Sequence, residues 1–304
     1  MSTATGMRPI FYLVFLGSSW GLYFSMLKIA ALSGISYVGI LTLTTLGVAL
    51  GMSVIALLRG RRPEFTMKHG IFYLVCSLSG YLVPMIAELL VITHMPAGVL
   101  TLIVSMAPLA TLLFAWLMKT DLINMPRVAG ILLGAFAVFV ILLPDAHGSA
   151  EVAWRWLLLA LAVPVSYSIH HNFAARFWPE GSDSYQVACG EAIFGCLLLI
   201  AFSTFNWQWQ DVQSWNRGHA AIGFMAAISL IDIFIYFELI RLKGPIYTSH
   251  ANYFMVVSGV MWGMVIFAER PSPLMWVSAA LLIASLYLIG KRESARSTSG
   301  GDQA

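Results

Sequence analysis

Residues 89–118 form the sequence LLVITHMPAGVLTLIVSMAPLATLLFAWLM, a run without Asp, Glu, Lys or Arg. A helix needs about 20 mostly apolar residues to cross a membrane, because the hydrocarbon core is about 30 Å thick and each residue rises about 1.5 Å. The run is too long for one crossing, and His94-Met95-Pro96 interrupts it at a proline, where a helix normally ends. It therefore predicts two spanning helices joined by a tight turn. Residues 29–58, interrupted at Ser33-Gly34, predict a second hairpin of the same kind.

The composition places the whole chain in the same class. Only 10% of the 304 residues are charged and 59% are hydrophobic, whereas about 25% of the residues of a soluble protein are charged. So few charges cannot cover so much apolar surface, which excludes soluble, disordered and disulfide-scaffold proteins. The net charge of +3 is small and scattered, so no nucleic-acid partner is expected. The three cysteines lie in apolar runs without metal-ligand spacing and are interpreted as packing residues.

Ten segments meet the length and polarity criteria for a spanning helix. They lie near 10–30, 36–58, 70–93, 97–118, 127–143, 154–175, 185–205, 219–242, 245–267 and 272–289. The predicted fold class is therefore all-α integral membrane, with ten transmembrane helices.

Basic residues set the predicted orientation. When the ten spans are threaded in order, thirteen of the seventeen Lys and Arg fall on the side of both termini. The other side receives Lys28, Arg155, Arg217 and Arg270. Positive residues in short loops stay in the cytoplasm. We expect a multi-pass protein of the cell (inner or plasma) membrane with both termini cytoplasmic.

The chain divides into two halves of five predicted helices, 10–143 and 154–290. A shift of 149 residues aligns Pro96 with Pro245, and in each half a carboxylate, Glu88 or Glu238, precedes the proline turn. Because five is odd, the second half enters the membrane in the opposite direction to the first. Two inverted five-helix repeats are typical of secondary transporters, whose substrate site lies near the midplane between the halves.

Several short motifs resemble one known family. They are 17–21 (GSSWG) with Phe24 and Lys28 in the first predicted helix, 106–109 (MAPL) in the fourth, and 267–273 (FAERPSP) followed by 281–284 (LLIA) near the end. By their order and spacing, the chain resembles the bacterial ten-helix EamA-type branch of the drug/metabolite transporter superfamily over about residues 10–290. The resemblance implies a transporter of small organic solutes, frequently an exporter, whose first helix borders a central cavity.

Carboxylates inside the predicted spans mark a candidate substrate site. An ionisable group at the bilayer centre costs about 3 kcal/mol or more, so it normally faces the bundle interior or a wet cavity. Asp232, with Tyr236 one turn later, fits a contact to a substrate amine or a proton, and equally a structural hydrogen bond between helices. Glu88, near the outer end of the third predicted helix, fits a gate or proton site, and also a group that reaches interfacial water.

Histidines are the second set of candidates. His170 and His171 are adjacent in the sixth predicted helix and point about 100° apart, so we do not expect both to line a narrow pore. Histidine changes its charge near neutral pH and is able to couple transport to protons, whereas a neutral ring bonded to a backbone carbonyl would be structural. His250 and Tyr253, on one stripe of the ninth predicted helix, present the same two alternatives.

The remaining candidates are aromatic or basic. Because the resemblance places the first helix beside the cavity, Trp20 and Tyr23 are candidates for stacking on a substrate, with packing as the alternative. Lys28, near the outer end of that helix, and Arg176, near the inner end of the sixth, form a candidate pair of gating charges. A Lys28 that reaches the lipid interface and an Arg176 that only marks the cytoplasmic side are the alternatives.

These features predict a secondary transporter, working as an exporter, for a small organic metabolite such as an amino acid or amine. It would act by alternating access around a central cavity, with protons as a possible coupling ion. The alternatives are a flippase for a lipid-linked substrate, which needs a lateral opening, and a non-transporting sensor or scaffold, which needs soluble domains. No enzyme is predicted, because the sequence offers neither a nucleophile and base in proximity nor a His-Glu-x-x-His ligand set, and the absence of a P-loop argues against ATP coupling within the chain. No cofactor or metal site is predicted, since the embedded His and Asp residues lack ligand spacing.

Overall fold

The computed structural model describes residues 4–117, 125–143, 152–203, 215–243, 247–248 and 250–290. Within these residues the regular structure is helical and contains no strand. Ten main helices follow one another: α1 (Ala4–Ala31), α2 (Tyr37–Leu58), α3 (Met67–Ile92), α4 (Ala97–Leu117), α5 (Met125–Leu142), α6 (Trp154–Arg176), α7 (Ser184–Ser203), α8 (Arg217–Lys243), α9 (Ala251–Phe267) and α10 (Pro273–Gly290).

Helix length and surface polarity identify a multi-pass membrane protein. By length and composition, α1 to α8 are apolar enough to cross a membrane, while α9 and α10 are shorter apolar helices. Large side chains such as Leu50, Val54 and Leu132 stay exposed on the helix surfaces, where lipid is the compatible solvent. Helix α9 begins at Ala251, later than the predicted 245, and residues 244–246 and 249 lie outside the described part.

Both predicted hairpins are confirmed. Helix α1 ends at Ala31 and α2 begins at Tyr37, with Gly34 between them at φ +85°, a left-handed conformation that favours glycine. Only four residues separate α3 from α4, and Pro96 directly precedes the first helical residue, Ala97.

Prolines interrupt three of the described helices, α3, α4 and α6. A π-helical turn over Leu78–Leu82 precedes Pro84 in α3. Helix α4 is broken at Ser105-Met106 before Pro108, and α6 is broken at Leu161 before Pro164. Proline has no N–H for the carbonyl four residues earlier, so each helix adjusts its hydrogen bonding just ahead of the ring. All three of these helices contribute side chains to the central cavity described below.

Small residues set the close approach of α1 to α9. A Cβ added to Gly17 would lie 2.6 Å from the Cβ of Phe254, and one added to Gly21 would lie 2.6 Å from the amide nitrogen of Gly259. The Ser258 hydroxyl donates to the Gly17 carbonyl across this contact at 3.2 Å. The small-residue stripe of α1 therefore brings two backbones together, as expected for helices packed in lipid.

The helix packing has a recurring pattern. Helix α1 packs on α8 and α9, and α6 packs on α3 and α4. Helix α2 packs on α7 and α8, α7 also packs on α3, and α5 packs on α10. Suppose that each helix is exchanged for the one five places away in the chain, so that α1 takes the place of α6 and α6 that of α1. Every contact in this set then becomes another contact of the set or stays the same contact.

Candidate functional site

A cavity of about 160 Å³ lies between α1, α3, α4, α6, α7, α8 and α9. Seven of the predicted site residues line it, namely Trp20, Tyr23, Glu88, His170, His171, Asp232 and Tyr236. They come from four helices that are distant in sequence, so the fold and not the local chain brings them together. The volume is close to that of a cavity that holds one benzene ring, about 150 Å³.

Three buried carboxylates face this cavity. Asp232 on α8 accepts a hydrogen bond from the Ser19 hydroxyl of α1, with 2.7 Å between the oxygens. Glu88 on α3 accepts one from the Tyr167 hydroxyl of α6 at 3.0 Å. Glu191 on α7, 2% exposed, lies with its Oε1 3.2 Å from His170 Nε2. Within the described part of the chain, no Lys or Arg side chain pairs with Glu88 or Asp232, whose hydrogen-bond donors are neutral hydroxyl groups.

The histidines share the cavity with Tyr236. The ring of His170 stacks on that of Tyr236 with 5.5 Å between centroids, and the ring of His171 lies 5.6 Å away from Tyr236 on the same side of the cavity. Among the residues that the structure describes, no partner of His170 Nε2 meets hydrogen-bond geometry, since its contact to Glu191 is poorly aligned. His171 Nδ1 lies 3.3 Å from the Thr111 hydroxyl. Both predicted histidines line the cavity. The cavity is wide enough for neighbouring side chains 100° apart on α6.

Close backbone packing positions His170. A Cβ added to Gly80, inside the π-helical turn of α3, would lie 2.8 Å from three atoms of the imidazole ring. The Ser166 hydroxyl, one turn before His170, donates to the Ser79 carbonyl at 2.8 Å. The irregular turn of α3 and the absence of a side chain at Gly80 thus leave space for the ring.

A second group of charged residues lies where α1 and α9 end and α4 begins. Lys28 Nζ is 2.8 Å from Glu269 Oε1 and donates to the Met95 carbonyl at 3.2 Å. Glu269 also accepts from the first amides of α4, those of Ala97 at 2.8 Å and Gly98 at 3.3 Å. A carboxylate at a helix N-terminus is stabilised by the unpaired amides there. We call these residues the Lys28–Glu269 cluster; it borders a second, polar cavity of about 840 Å³.

The other predicted site residues lie elsewhere. His250 and Tyr253 do not line the central cavity; their rings are 5.5 Å apart, and His250 Nδ1 contacts the Tyr247 carbonyl at 3.0 Å. Arg176 is exposed at the end of α6, with its guanidinium 5.8 Å from the Phe177 ring centre. Lys28 belongs to the Lys28–Glu269 cluster and not to the central cavity. A gating role for Lys28 and Arg176 stays a prediction.

Several lining residues were not selected from the sequence. The lining also includes the carboxylate of Glu191, the phenols of Tyr81 and Tyr167, and two residues of α9, Asn252 and Met255. Asn252 and Met255 are three residues apart and share a helical stripe, so a search for stripes with one polar and one large residue would have found them. Among the described residues, no group of three or more His, Cys, Asp or Glu side chains is arranged to hold a metal ion.

The comparison with known proteins agrees with this architecture. The model of the EamA-like transporter family matches residues 7–143 and matches again over 154–291. The chain belongs to the EamA-like transporter family. The family match and the apolar helices together describe a multi-pass membrane protein of a transporter family.

Two individual proteins are also similar to this chain. This EamA-like transporter is 26% identical over 217 residues to an uncharacterized transporter, sll0355, of Synechocystis sp. strain PCC 6803. That alignment covers 65% of this chain and 64% of the relative, so the chain spans a little under two thirds of the relative's length. A solved crystal structure with 18% identity matches with a TM-score of 0.65 over 98% of this chain and 99% of its own. At this identity, the likeness describes the fold alone.

Proposed function

We propose that this EamA-like transporter is a secondary transporter that exports a small organic metabolite, such as an amino acid or amine, by alternating access around the central cavity. Protons are the proposed coupling ion. The observation that carries the proposal is the convergence of buried Glu88, Glu191 and Asp232 on one cavity between helices of both halves of the chain. Buried carboxylates are costly in a membrane and are normally retained where an ion or substrate passes.

The proposal includes two inverted repeats, 10–143 and 154–290, that rock against each other. Two observations support it. The packing pattern is conserved when α1–α5 are exchanged for α6–α10, and the family match divides at the same place in the sequence. Ten crossings, including the shorter α9 and α10, would bring both termini to the cytoplasmic side of the cell membrane, where the excess of basic residues belongs.

The size of the cavity favours a small solute over a lipid-linked one. A volume of about 160 Å³ is close to the roughly 150 Å³ of a cavity that holds benzene, so it suits a molecule about the size of a single ring. A flippase substrate carries a larger head group and an acyl or polyprenyl tail. We therefore place the lipid-linked substrate second.

Transport into proteoliposomes tests the proposal. Purified protein would be reconstituted, and uptake of a labelled panel of amino acids and amines would be measured with and without an imposed pH gradient. Uptake above that of empty liposomes, accelerated by the gradient, is expected. Equal uptake with and without the gradient would remove proton coupling, and uptake of no compound in the panel would overturn the proposed substrate range.

Two variants on α8 connect transport to the cavity. Asp232→Asn removes the charge that faces the cavity while keeping an acceptor for Ser19, so both the rate and its response to the pH gradient should fall. Glu238→Gln is the matched control, because Glu238 lies outside the cavity lining and pairs with Arg241 at 2.9 Å. Indistinguishable transport by wild type and Asp232→Asn would remove Asp232 from the site.

A further inference from the structure

We propose that the central cavity selects small organic cations, and that an ammonium compound without a carboxylate is preferred over the amino acid of the same skeleton. This inference rests on the proposed transport function, because it names the substrate class of the same site. It follows from the charges that line the cavity, the partners of those charges, the aromatic walls and the available volume.

The charge that lines the cavity is acidic. Its ionisable side chains, apart from the tyrosines, are Glu88, Glu191, Asp232, His170 and His171, and the described lining contains neither Lys nor Arg. A buried ion without a counter-ion loses several kcal/mol of solvation. A substrate carboxylate entering this cavity would therefore be desolvated beside like charges, whereas a substrate ammonium would be placed among opposite ones.

The partners of the carboxylates leave room for such a cation. Asp232 and Glu88 each accept one hydrogen bond from a hydroxyl group, those of Ser19 and Tyr167. Each carboxylate has further acceptor positions, since an ionised group accepts up to about four hydrogen bonds. A primary ammonium donates three, so it suits carboxylates that neutral donors only partly satisfy.

Two basic residues on helices that line the cavity, Lys28 and Arg176, make their contacts outside it. Lys28 is on α1, two turns after Trp20, but its ammonium contacts Glu269 and the Met95 carbonyl at the end of the helix. Arg176 follows His170 on α6, but it is exposed and lies over Phe177. Neither lines the cavity in this structure, so neither supplies the positive charge that an amino acid's carboxylate would require.

The walls of the cavity suit the organic part of such a cation. They include one Trp and four Tyr side chains, Trp20, Tyr23, Tyr81, Tyr167 and Tyr236. The ring faces of Trp and Tyr attract ammonium groups and their attached methylenes, by about 0.5–2 kcal/mol per contact. Trp20 and Tyr236 lie with 6.3 Å between ring centroids, next to Asp232 on α8. Trp20 follows Ser19, which donates to Asp232, and Tyr236 is one turn after Asp232, so aromatic rings and a carboxylate lie close together in the lining.

A matched series of compounds tests the inference. Phenethylamine, phenylalanine and 3-phenylpropionate share one skeleton and carry a cation, a zwitterion and an anion. Binding would be measured by quenching of tryptophan fluorescence in detergent, and transport would be measured in proteoliposomes. We expect phenethylamine to bind at least about tenfold more tightly than phenylalanine, a difference of about 1.4 kcal/mol, and 3-phenylpropionate to bind least.

Variants locate the selectivity in the cavity. Asp232→Asn and Glu88→Gln should each weaken phenethylamine binding about tenfold or more, while Glu238→Gln leaves it unchanged. Trp20→Phe should retain most of the affinity and Trp20→Leu should lose it, because only the first keeps a π face. Monodispersity in size-exclusion chromatography identifies any variant that does not fold, and the wild-type series does not depend on the variants.

The outcomes separate this inference from the proposed function. Tight phenethylamine binding without uptake supports the cation site and overturns transport of this compound. Transport of phenylalanine or 3-phenylpropionate at or above the rate of phenethylamine overturns cation selectivity and leaves secondary transport in place. Absence of binding by phenethylamine in wild-type protein overturns the inference directly.

Discussion

Removal of one partner from the Lys28–Glu269 cluster should destabilise the protein by more than a surface ion pair would. The Lys28 and Glu269 side chains are 15% and 14% exposed, and they are 2.8 Å apart. Loss of one partner of a buried pair costs about 3–5 kcal/mol, whereas exposed pairs contribute about 0–1 kcal/mol. We expect Glu269→Gln and Lys28→Met each to cost about 2–4 kcal/mol, near the lower end of the buried range because some exposure remains.

The double variant is the sharper part of this prediction. Once the charge of Glu269 is gone, Lys28 loses its counter-ion, and the Ala97 and Gly98 amides lose a charged acceptor. The second substitution therefore removes an interaction that the first has already weakened. Lys28→Met with Glu269→Gln should cost less than the sum of the single changes, by about 1.5 kcal/mol or more.

Unfolding in increasing SDS, followed by tryptophan fluorescence in mixed micelles, measures these free energies. Arg241→Met is the control, since the Glu238–Arg241 pair spans one helical turn and Arg241 is 46% exposed. Its loss should cost less than about 1 kcal/mol. Strict additivity of the two single changes, or losses no larger than that of Arg241→Met, would refute the assignment of the cluster as a partly buried, mutually dependent pair.

Further predictions concern packing. Gly21→Ala should cost about 1–3 kcal/mol in the same unfolding assay, because the added Cβ meets the α9 backbone. Gly223→Ala, which meets nothing within 4 Å, should be neutral or stabilising; equal losses would contradict the close approach of α1 to α9. Gly80→Ala should displace the His170 ring and reduce phenethylamine binding about tenfold, and unchanged binding would exclude His170 from the ligand's surroundings. Ser285→Ala removes a hydrogen bond to an α5 carbonyl and should cost about 0.6 kcal/mol; a loss above 2 kcal/mol would indicate a larger role in the α5–α10 contact.

Local sequence signals predicted the helices well. The hairpin turns at Ser33-Gly34 and His94-Met95-Pro96 are confirmed, because glycine and proline act on the backbone of their own neighbours. The π-helical turn before Pro84 and the breaks before Pro108 and Pro164 follow from the same missing N–H. Such effects need no information about distant residues.

The contacts of the cavity depend on the fold and were harder to predict. No Lys or Arg lies close to Glu191 in the sequence. The residue that contacts it, His170, belongs to α6 and is brought within 3.2 Å only by the fold. On α9, the residues that line the cavity are Asn252 and Met255, whereas the more polar His250 was selected from the sequence. The glycine stripe of α1 sets which face of α9 turns inward, and that contact joins residues more than 200 positions apart.

The acids in or next to the described spans fall into two groups with different partners. Glu238 and Glu269 have protein cations within 3 Å, Arg241 and Lys28, and both pairs lie near helix ends. Glu88 and Asp232 are more deeply buried, and their partners among the described residues are hydroxyl donors, while Glu191 faces the poorly aligned His170. If burial alone determined these partners, the deepest carboxylates would have the strongest counter-ions, because their desolvation is the most expensive. The reverse is observed around the cavity. A counter-ion that arrives and leaves, a proton or a substrate cation, accounts for this arrangement, whereas a permanent Lys or Arg would compete with it for the same carboxylates.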